Sequence, residues 1–308
     1  MATGERTPKR YSIPEKCKLC GSNQIVRYGR YSDIQRWFCK SCKRKFVEND
    51  APHRMRTPSV QIASALSMFY EGMSFNTIRR HINQTFLNFP SNSSVFNWVI
   101  KYTKVAVEAN KAGGMQRVKI IDKLGHGPFW IANVTPFQIE GGNIWVWDII
   151  DYWNRFLVVS GISLSRTEQD VKTIMEVAAN KIGEPPGLVI TSKLSVFREG
   201  IDLAFGSYTH HLQATSSKVQ PYLNTIDRFH GVLKTRNNII KSLKRRKTSE
   251  LIIDGWLVHY NFFRPHESLR YSTPAAMAGI DFPYRNWLDV VTKGSHSSNN
   301  YAGSPDSP

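Results

Sequence analysis

At 308 residues the chain is too long for one small module, and its 41% apolar content is ample for an ordinary soluble core. No apolar run reaches the length of a membrane span, and the opening "MATGERTPKRYSIPEK" lacks the apolar stretch of a secretory signal, so a cytoplasmic protein with no membrane partner is expected. The formal charge of +17 is uneven: residues 1–117 hold 20 Lys+Arg against 7 Asp+Glu, and the remainder holds 21 against 17. Such a bias exceeds what solubility needs and points to a polyanion-binding region, with DNA the favoured partner, attached to a more balanced body.

After a flexible N-terminus (1–14), all four cysteines fall in residues 15–50, as Cys17, Cys20, Cys39 and Cys42. Two C-x-x-C knuckles with eighteen residues between them are a zinc spacing, and four thiolates close a tetrahedral shell around Zn²⁺. With no position left for water, the metal is structural, and it supplies folding energy to a segment too short for its own core. Disulfides would need an oxidising compartment, and a redox C-x-x-C would not need the second pair. Between the knuckles, "QIVRYGRYSDIQRWFC" alternates like a β-ribbon, with Gly29 expected at the turn. Arg27, Arg30, Arg36, Lys43 and Arg44 surround it as candidates for phosphate contact.

Residues 56–112 predict three helices. "TPSVQIASALSMFYEG" opens with Thr57 as cap and Pro58 in the first turn, and Gly72 ends the helix. "SFNTIRRHINQTF" begins at a Ser74 cap, with Phe75, Ile78 and Ile82 facing inward. "SNSSVFNWVIKYTKVAVEANK" carries an inner stripe of Val95, Trp98 and Val99. Two short helices about a tight turn, then a third, suit a helix-turn-helix domain, with Arg79, Arg80, Ser94 and Asn97 on polar faces that could reach DNA. "NKAGGMQRVKI" then reads as a joint.

The texture changes over residues 125–283. "PFWIANVTPFQI", "GNIWVWDIID" and "RFLVVSGIS" are strand-like runs with short turns at Gly141–Gly142 and Tyr152–Asn154. A helix over "SRTEQDVKTIMEVAANKIG", an apolar strand "GLVITSK", a further strand "SYTHHLQAT" and two terminal helices follow. The pattern predicts an α/β fold: a mixed sheet of RNase H type flanked by helices, behind a zinc ribbon and a small all-α domain. Residues 290–308, polar and Ser/Asn-rich, are expected to be a disordered tail.

In this order the segments resemble the DDE transposases of insertion sequences, in the retroviral-integrase-like superfamily. The strings that carry the resemblance most strongly are "IDRFHGVLKTRNN" and "HYNFFRPHESLRYSTPAAMAGI". The resemblance implies an integrase catalytic core, two Mg²⁺ ions held by a carboxylate triad, double-stranded DNA as partner with terminal inverted repeats as candidate sites, and action as a homodimer or a mixed oligomer with a related transposase. Carried over by motif, the triad positions are Asn133, Lys193 and Asp227. Two have no carboxylate and the third has a shorter arm, so the side-chain charges sum to zero. Mg²⁺ needs hard, charged oxygen ligands, and an ammonium ~4 Å from a divalent ion repels it by about 8 kcal/mol at an effective dielectric of 20. Lys193 is therefore expected to stand in for the metal, its ammonium between the Asn133 amide and the Asp227 carboxylate.

Other acids are set aside on position: Asp148 and Asp151 lie on or after the second strand, Asp151 as a turn cap, while Glu199 falls on a helix, Glu140 in a hairpin turn and Asp122 in the linker. His230 and His266 read as structural, and His210 and His211 are uninformative. From Arg228 to Lys247 there are eight Lys+Arg and no acid. Lys234, Arg236, Lys241, Lys244, Arg245 and Arg246 suit a duplex lying across the core, or simply a solvated basic helix end. Two functions remain open: a DNA-binding protein of transposase lineage without strand transfer, and a working transposase with an atypical or trans-completed site. A subunit that modulates an active relative is a third.

Overall fold

The structure is a computed structural model that describes residues 14–31, 34–48, 50–52, 55–113, 127–139, 142–213 and 246–297. The N-terminus, most of the joint with Asp122, Glu140, and the basic segment with Asp227 and His230 lie outside the described residues. The chain divides into two compact units, the ribbon and a larger body from Gln61 to Gly294.

In the first unit β1 (Ile25–Tyr31), β2 (Ile34–Cys39) and β3 (Lys45–Val47) form an antiparallel sheet in that order. Gly29 does not make the hairpin turn. It lies within β1 at a φ of +79°, at the register shift between Arg27 and Arg30, where an extra residue needs the left-handed backbone that glycine adopts without strain. Trp37 and Phe46 pair across β2 and β3 and pack with Cys17 and Cys39 in a small core.

The larger unit begins with α1 (Ser59–Tyr70), α2 (Phe75–Phe86) and α3 (Asn92–Ala112). Helix α1 starts just after Pro58, and Ser59 anchors it by donating from both its amide and its hydroxyl to the Asp50 carbonyl. Ser74 caps α2 through the Thr77 amide, Ser91 caps α3 through the Ser94 amide, and Gly72 ends α1 at a φ of +91°. Ile78, Ile82, Val95, Trp98 and Val99 are buried, as their spacing predicts.

Next comes a five-stranded sheet of order β6-β5-β4-β7-β8: β4 (Phe129–Ile139), β5 (Gly142–Asp151), β6 (Leu157–Ser163), β7 (Leu188–Thr191) and β8 (His210–Gln213). The first three are antiparallel, and β7 and β8 join in parallel, which is the RNase H-type arrangement. Helices α4 (Glu168–Ile182) and α5 (Val196–Phe205) cover one face, with Phe197 edge-on to Trp147. Helix α6 (Arg246–Val258) covers the other, setting Ile253 against Phe137, Ile144 and Val146. The Asp151 carboxylate caps the β5–β6 turn by accepting from the Trp153 and Asn154 amides, and its burial pushes the carboxyl up to about 6.

Helix α6 runs into a π-helical turn, His259–Phe263, followed by α7 (Pro274–Met277) and α8 (Trp287–Ser297). Helix α8 occupies the start of the expected tail. "WLDVV" places Val290 and Val291 in the core, and Asp289 accepts from the Arg285 amide, so residues 290–297 are helical.

The π-turn holds the edge of the sheet. β6 is an edge strand, and Leu157, registered with Ile150, turns its amide and carbonyl away from β5. Asn261, fully buried, accepts from the Leu157 amide and donates to its carbonyl, both at 2.9 Å, as a neighbouring strand would. Lys181 donates to the Val158 carbonyl beside it. The same turn docks α1. His259, 3% exposed, contacts Glu71 through Nε2 at 3.1 Å and accepts at Nδ1 from the Trp287 indole N–H, also at 3.1 Å. An indole only donates, so Nδ1 is unprotonated and a neutral ring donates from Nε2 to Glu71. Burial pushes the imidazole below its ordinary range against the pull of Glu71, which agrees with that tautomer. Tyr70 stacks on Trp287 at 5.0 Å and bonds to Thr103, and a Cβ at Gly255 would collide with both Tyr70 and Thr103.

Replacing Asn261 with Ala leaves a buried amide and a buried carbonyl unpaired, and should cost roughly 2–4 kcal/mol in denaturant unfolding at an unchanged m-value. A variant as stable as the parent would refute the strand-mimic role. Because His259 and His266 are both held below their ordinary range, the unfolded chain binds more protons as pH falls past about 6.5. Asp151, raised to about 6, works the other way as pH falls through that value, so the histidine contribution is read as a difference: between pH 7 and 5 the denaturation midpoint of His259→Gln should fall less, or rise more, than the parent's. Equal profiles for the two would contradict the neutral-ring assignment.

Candidate metal centre and nucleic-acid site

The four cysteines converge, their sulfurs all within 4.8 Å of one another and outside any disulfide. The shortest separations, Cys20–Cys39 at 3.6 Å and Cys17–Cys42 at 3.9 Å, bracket the edge of a tetrahedron with bonds of about 2.3 Å, roughly 3.8 Å. The knuckle backbone prepares the anion: the Cys42 amide leads in holding the Cys39 thiol down to about 6, while burial pushes Cys17 up to about 12. Four soft donors at this spacing fit Zn²⁺ and leave no fifth position, so the centre can hold the ribbon together but not activate water.

The triad region is built on β4, the middle strand. Pairing sets Asn133 opposite Asp148 on β5, and Asp148 opposite Ser160 on β6, so the three make a polar row across one sheet face. Asn133 is 8% exposed and donates to the Thr135 hydroxyl at 3.3 Å. Asp148 is 0% exposed and accepts from Ser160 Oγ at 2.6 Å. On the other side Ala132 pairs with Thr191, the last residue of β7, so continuing the register by one residue brings Ser192 beside Asn133. The Ser192 Oγ is buried with no hydrogen-bond partner. Lys193, one residue further, is exposed and makes no hydrogen bond or ion pair with a described residue. The expected insertion of its ammonium beside Asn133 is absent among the described residues, and the bridge to Asp227 falls outside them. Among the described residues, Asn133 and Ser192 thus offer an amide and a hydroxyl, and the carboxylate set against Asn133 by register is that of Asp148.

Asp148 is the acid that sequence reasoning set aside. The signal for it was a carboxylate inside the apolar run "IWVWDIID", while its cross-strand neighbour depends on register. Thr191 is also engaged, with its hydroxyl 2.7 Å from His211 Nε2. Glu199 lies exposed on α5. His266 fixes the turn after the π-helix, its amide donating to the Ser272 carbonyl and its ring edge-on to Tyr260.

Of the basic candidates, Arg27, Arg30, Lys43, Arg44 and Arg80 are exposed, as is Asn97. Arg79 is committed to the α2–α3 connection, donating to the Pro90 carbonyl and to Asn92 Oδ1 and lying over the Phe89 ring. Ser94 is bound into the cap of α3. Arg36 lies 5.5 Å from the Tyr28 ring centre. Lys234, Arg236, Lys241, Lys244 and Arg245 lie outside the described residues, as does the side chain of Arg246. No helix among the described residues is long and apolar enough to cross a membrane.

Elemental analysis of purified protein should find one zinc per chain, and Cys20→Ser with Cys39→Ser should abolish it. Chelation should open the ribbon to limited proteolysis and leave the body from Gln61 to Gly294 resistant; a ribbon that resists equally without metal would count against the tetrahedral centre.

Residues 213–274 match the family model described as an integrase core domain, and of that span Gln213 and 246–274 are described here. No curated protein matches the chain. Among solved structures, the catalytic core domain of the HTLV-2 integrase in complex with magnesium aligns at 13% identity in a dimeric form (TM-score 0.38, 49% of this chain and 94% of that one) and a trimeric form (0.39, 49% and 95%). The simian T-cell lymphotropic virus intasome in complex with the PP2A regulatory subunit B56 gamma aligns at 13% identity and TM-score 0.38, over 72% of this chain and 78% of that one. Residues 213–274 are thus similar to an integrase core domain, and the five-stranded mixed sheet that precedes them has the RNase H-type order.

Proposed function

We propose that the protein is a DNA-binding member of the transposase lineage that does not carry out strand transfer. The observation that carries this reading is that neither Asn133 on β4 nor Ser192 at the end of β7 carries a carboxylate, where a divalent pair would need one from each strand, and that the next residue, Lys193, adds an ammonium. Double-stranded DNA, with terminal inverted repeats as candidate sites, is the partner that the basic ribbon and the helix-turn-helix segment suit. Such a protein acts as a homodimer or in mixed oligomers with an active relative, occupying ends without cutting them.

One observation favours a second reading. Asp148 places a carboxylate directly across from Asn133, so a working site would differ by having its first acid on the neighbouring strand.

The test is a cleavage and strand-transfer assay with Mg²⁺ or Mn²⁺ on candidate terminal repeats. It compares the native protein, Asp148→Asn, and the restored triad Asn133→Asp, Ser192→Asp, Asp227→Glu made with and without Asp148→Asn. Activity confined to restored triads is expected. Activity in the native protein that disappears in Asp148→Asn establishes the second reading. Duplex binding should persist in every variant and weaken steeply with salt.

A further inference from the structure

The ribbon sheet has a second face that takes no part in the metal centre. Val26 pairs with Phe38, and Phe38 with Lys45, while Trp37 and Phe46 point the other way into the cysteine core. Tyr28 and Arg36, two residues along their strands, share the outer face. Val26 is 36% and Tyr28 41% exposed, although apolar surface in so small a unit is scarce and the core lies on the opposite side. The Tyr28 ring lies 6.0 Å from the Phe38 ring, with the Lys45 ammonium 3.9 Å and the Arg36 guanidinium 5.5 Å from its centre. The three strands carry Arg27, Arg30, Arg36 and Lys45 and no acid.

We propose that this face binds single-stranded DNA, with Tyr28 taking an unpaired base on its ring and Lys45 and Arg36 taking the flanking phosphates. Cations alone would suit a duplex equally well. An exposed aromatic ring between two cations suits a strand whose bases are splayed out, because a duplex keeps its base faces stacked inside, whereas every unpaired base offers one. Before binding, the Lys45 ammonium covers the ring by cation–π attraction, and its flexible stem lets it swing to a phosphate when a base replaces it. The proposal rests on the DNA-binding reading above and specifies the form of DNA that the ribbon takes.

The test uses the full, zinc-loaded chain and fluorescence anisotropy with a labelled oligothymidine strand of about 16 nucleotides, beside the matching duplex. Tyr28→Leu should weaken single-strand binding by about tenfold and duplex binding by less than about twofold, and Tyr28→Phe should restore it. Lys45→Ala should lower the salt slope for the single strand by about 0.7. In the native protein, photocrosslinks from a bromodeoxyuridine-substituted strand should map to Tyr28 or Phe38, a readout that does not depend on a variant folding. The platform is overturned if Tyr28→Leu leaves the single strand unaffected, if it weakens both forms equally, or if the crosslinks fall only outside β1 and β2. In each of those cases DNA binding by the protein still stands. Failure of the native chain to bind either form overturns the DNA-binding reading itself.

Discussion

The larger unit depends on a backbone gap being filled by side chains from far along the sequence. On the edge strand β6, Leu157 turns an amide and a carbonyl away from β5, and without a partner each would cost free energy comparable to a lost hydrogen bond. Asn261 satisfies both groups from 104 residues away. A regular α-helix would follow α6 without offering the same presentation. The π-turn at His259–Phe263 turns His259 toward α1 and α8, and Asn261 toward the sheet. One five-residue turn therefore fixes the sheet edge, the end of α1 and the C-terminal helix together. The constraint extends to Gly255, whose missing Cβ leaves room for Tyr70 and Thr103.

None of these contacts involves Asn133 or Ser192. A carboxylate cluster without its metal is a source of self-repulsion, since like charges a few ångströms apart cannot all ionise. Asn133 and Ser192 add no such cost. The buried polar groups in the middle of the sheet are instead joined locally, Asp148 to Ser160 and Asn133 to Thr135.

The parts legible in the sequence were those set by local rules. Paired knuckles, serine caps, helical stripes and alternating strands all depend on residues within a few positions of one another, and the ribbon, α1 to α3 and the sheet follow them. The parts that were not legible depend on register or on distant partners. Ser192 and Lys193 differ by one residue, and it takes the pairing of Ala132 with Thr191, continued by one step, to favour Ser192 as the neighbour of Asn133. "HYNF" is recognisable as a string, but the work of Asn261 depends on Leu157, which no local pattern links to it. Gly29 looked like a turn residue because a bulge and a turn ask for the same left-handed backbone. The tail after Trp287 read as polar because its serines and asparagines outnumber the two valines that anchor α8.

The cross-strand row also constrains which residues position 133 can carry. Residues directly opposite on antiparallel strands hold their Cβ atoms about 4.5–5.5 Å apart, and like charges in such a pair are destabilising. With Asp148 fully buried opposite position 133, an aspartate at 133 would place two carboxylates in that arrangement at the least hydrated part of the sheet. Only a bound cation or protonation of one partner would relieve them. The asparagine and the acid at 148 are therefore compatible as a pair, whereas the family's aspartate and this Asp148 are not compatible without metal. The neutrality of position 133 is thus coupled to its neighbour, and a carboxylate returns to β4 without added strain only when the one on β5 is removed.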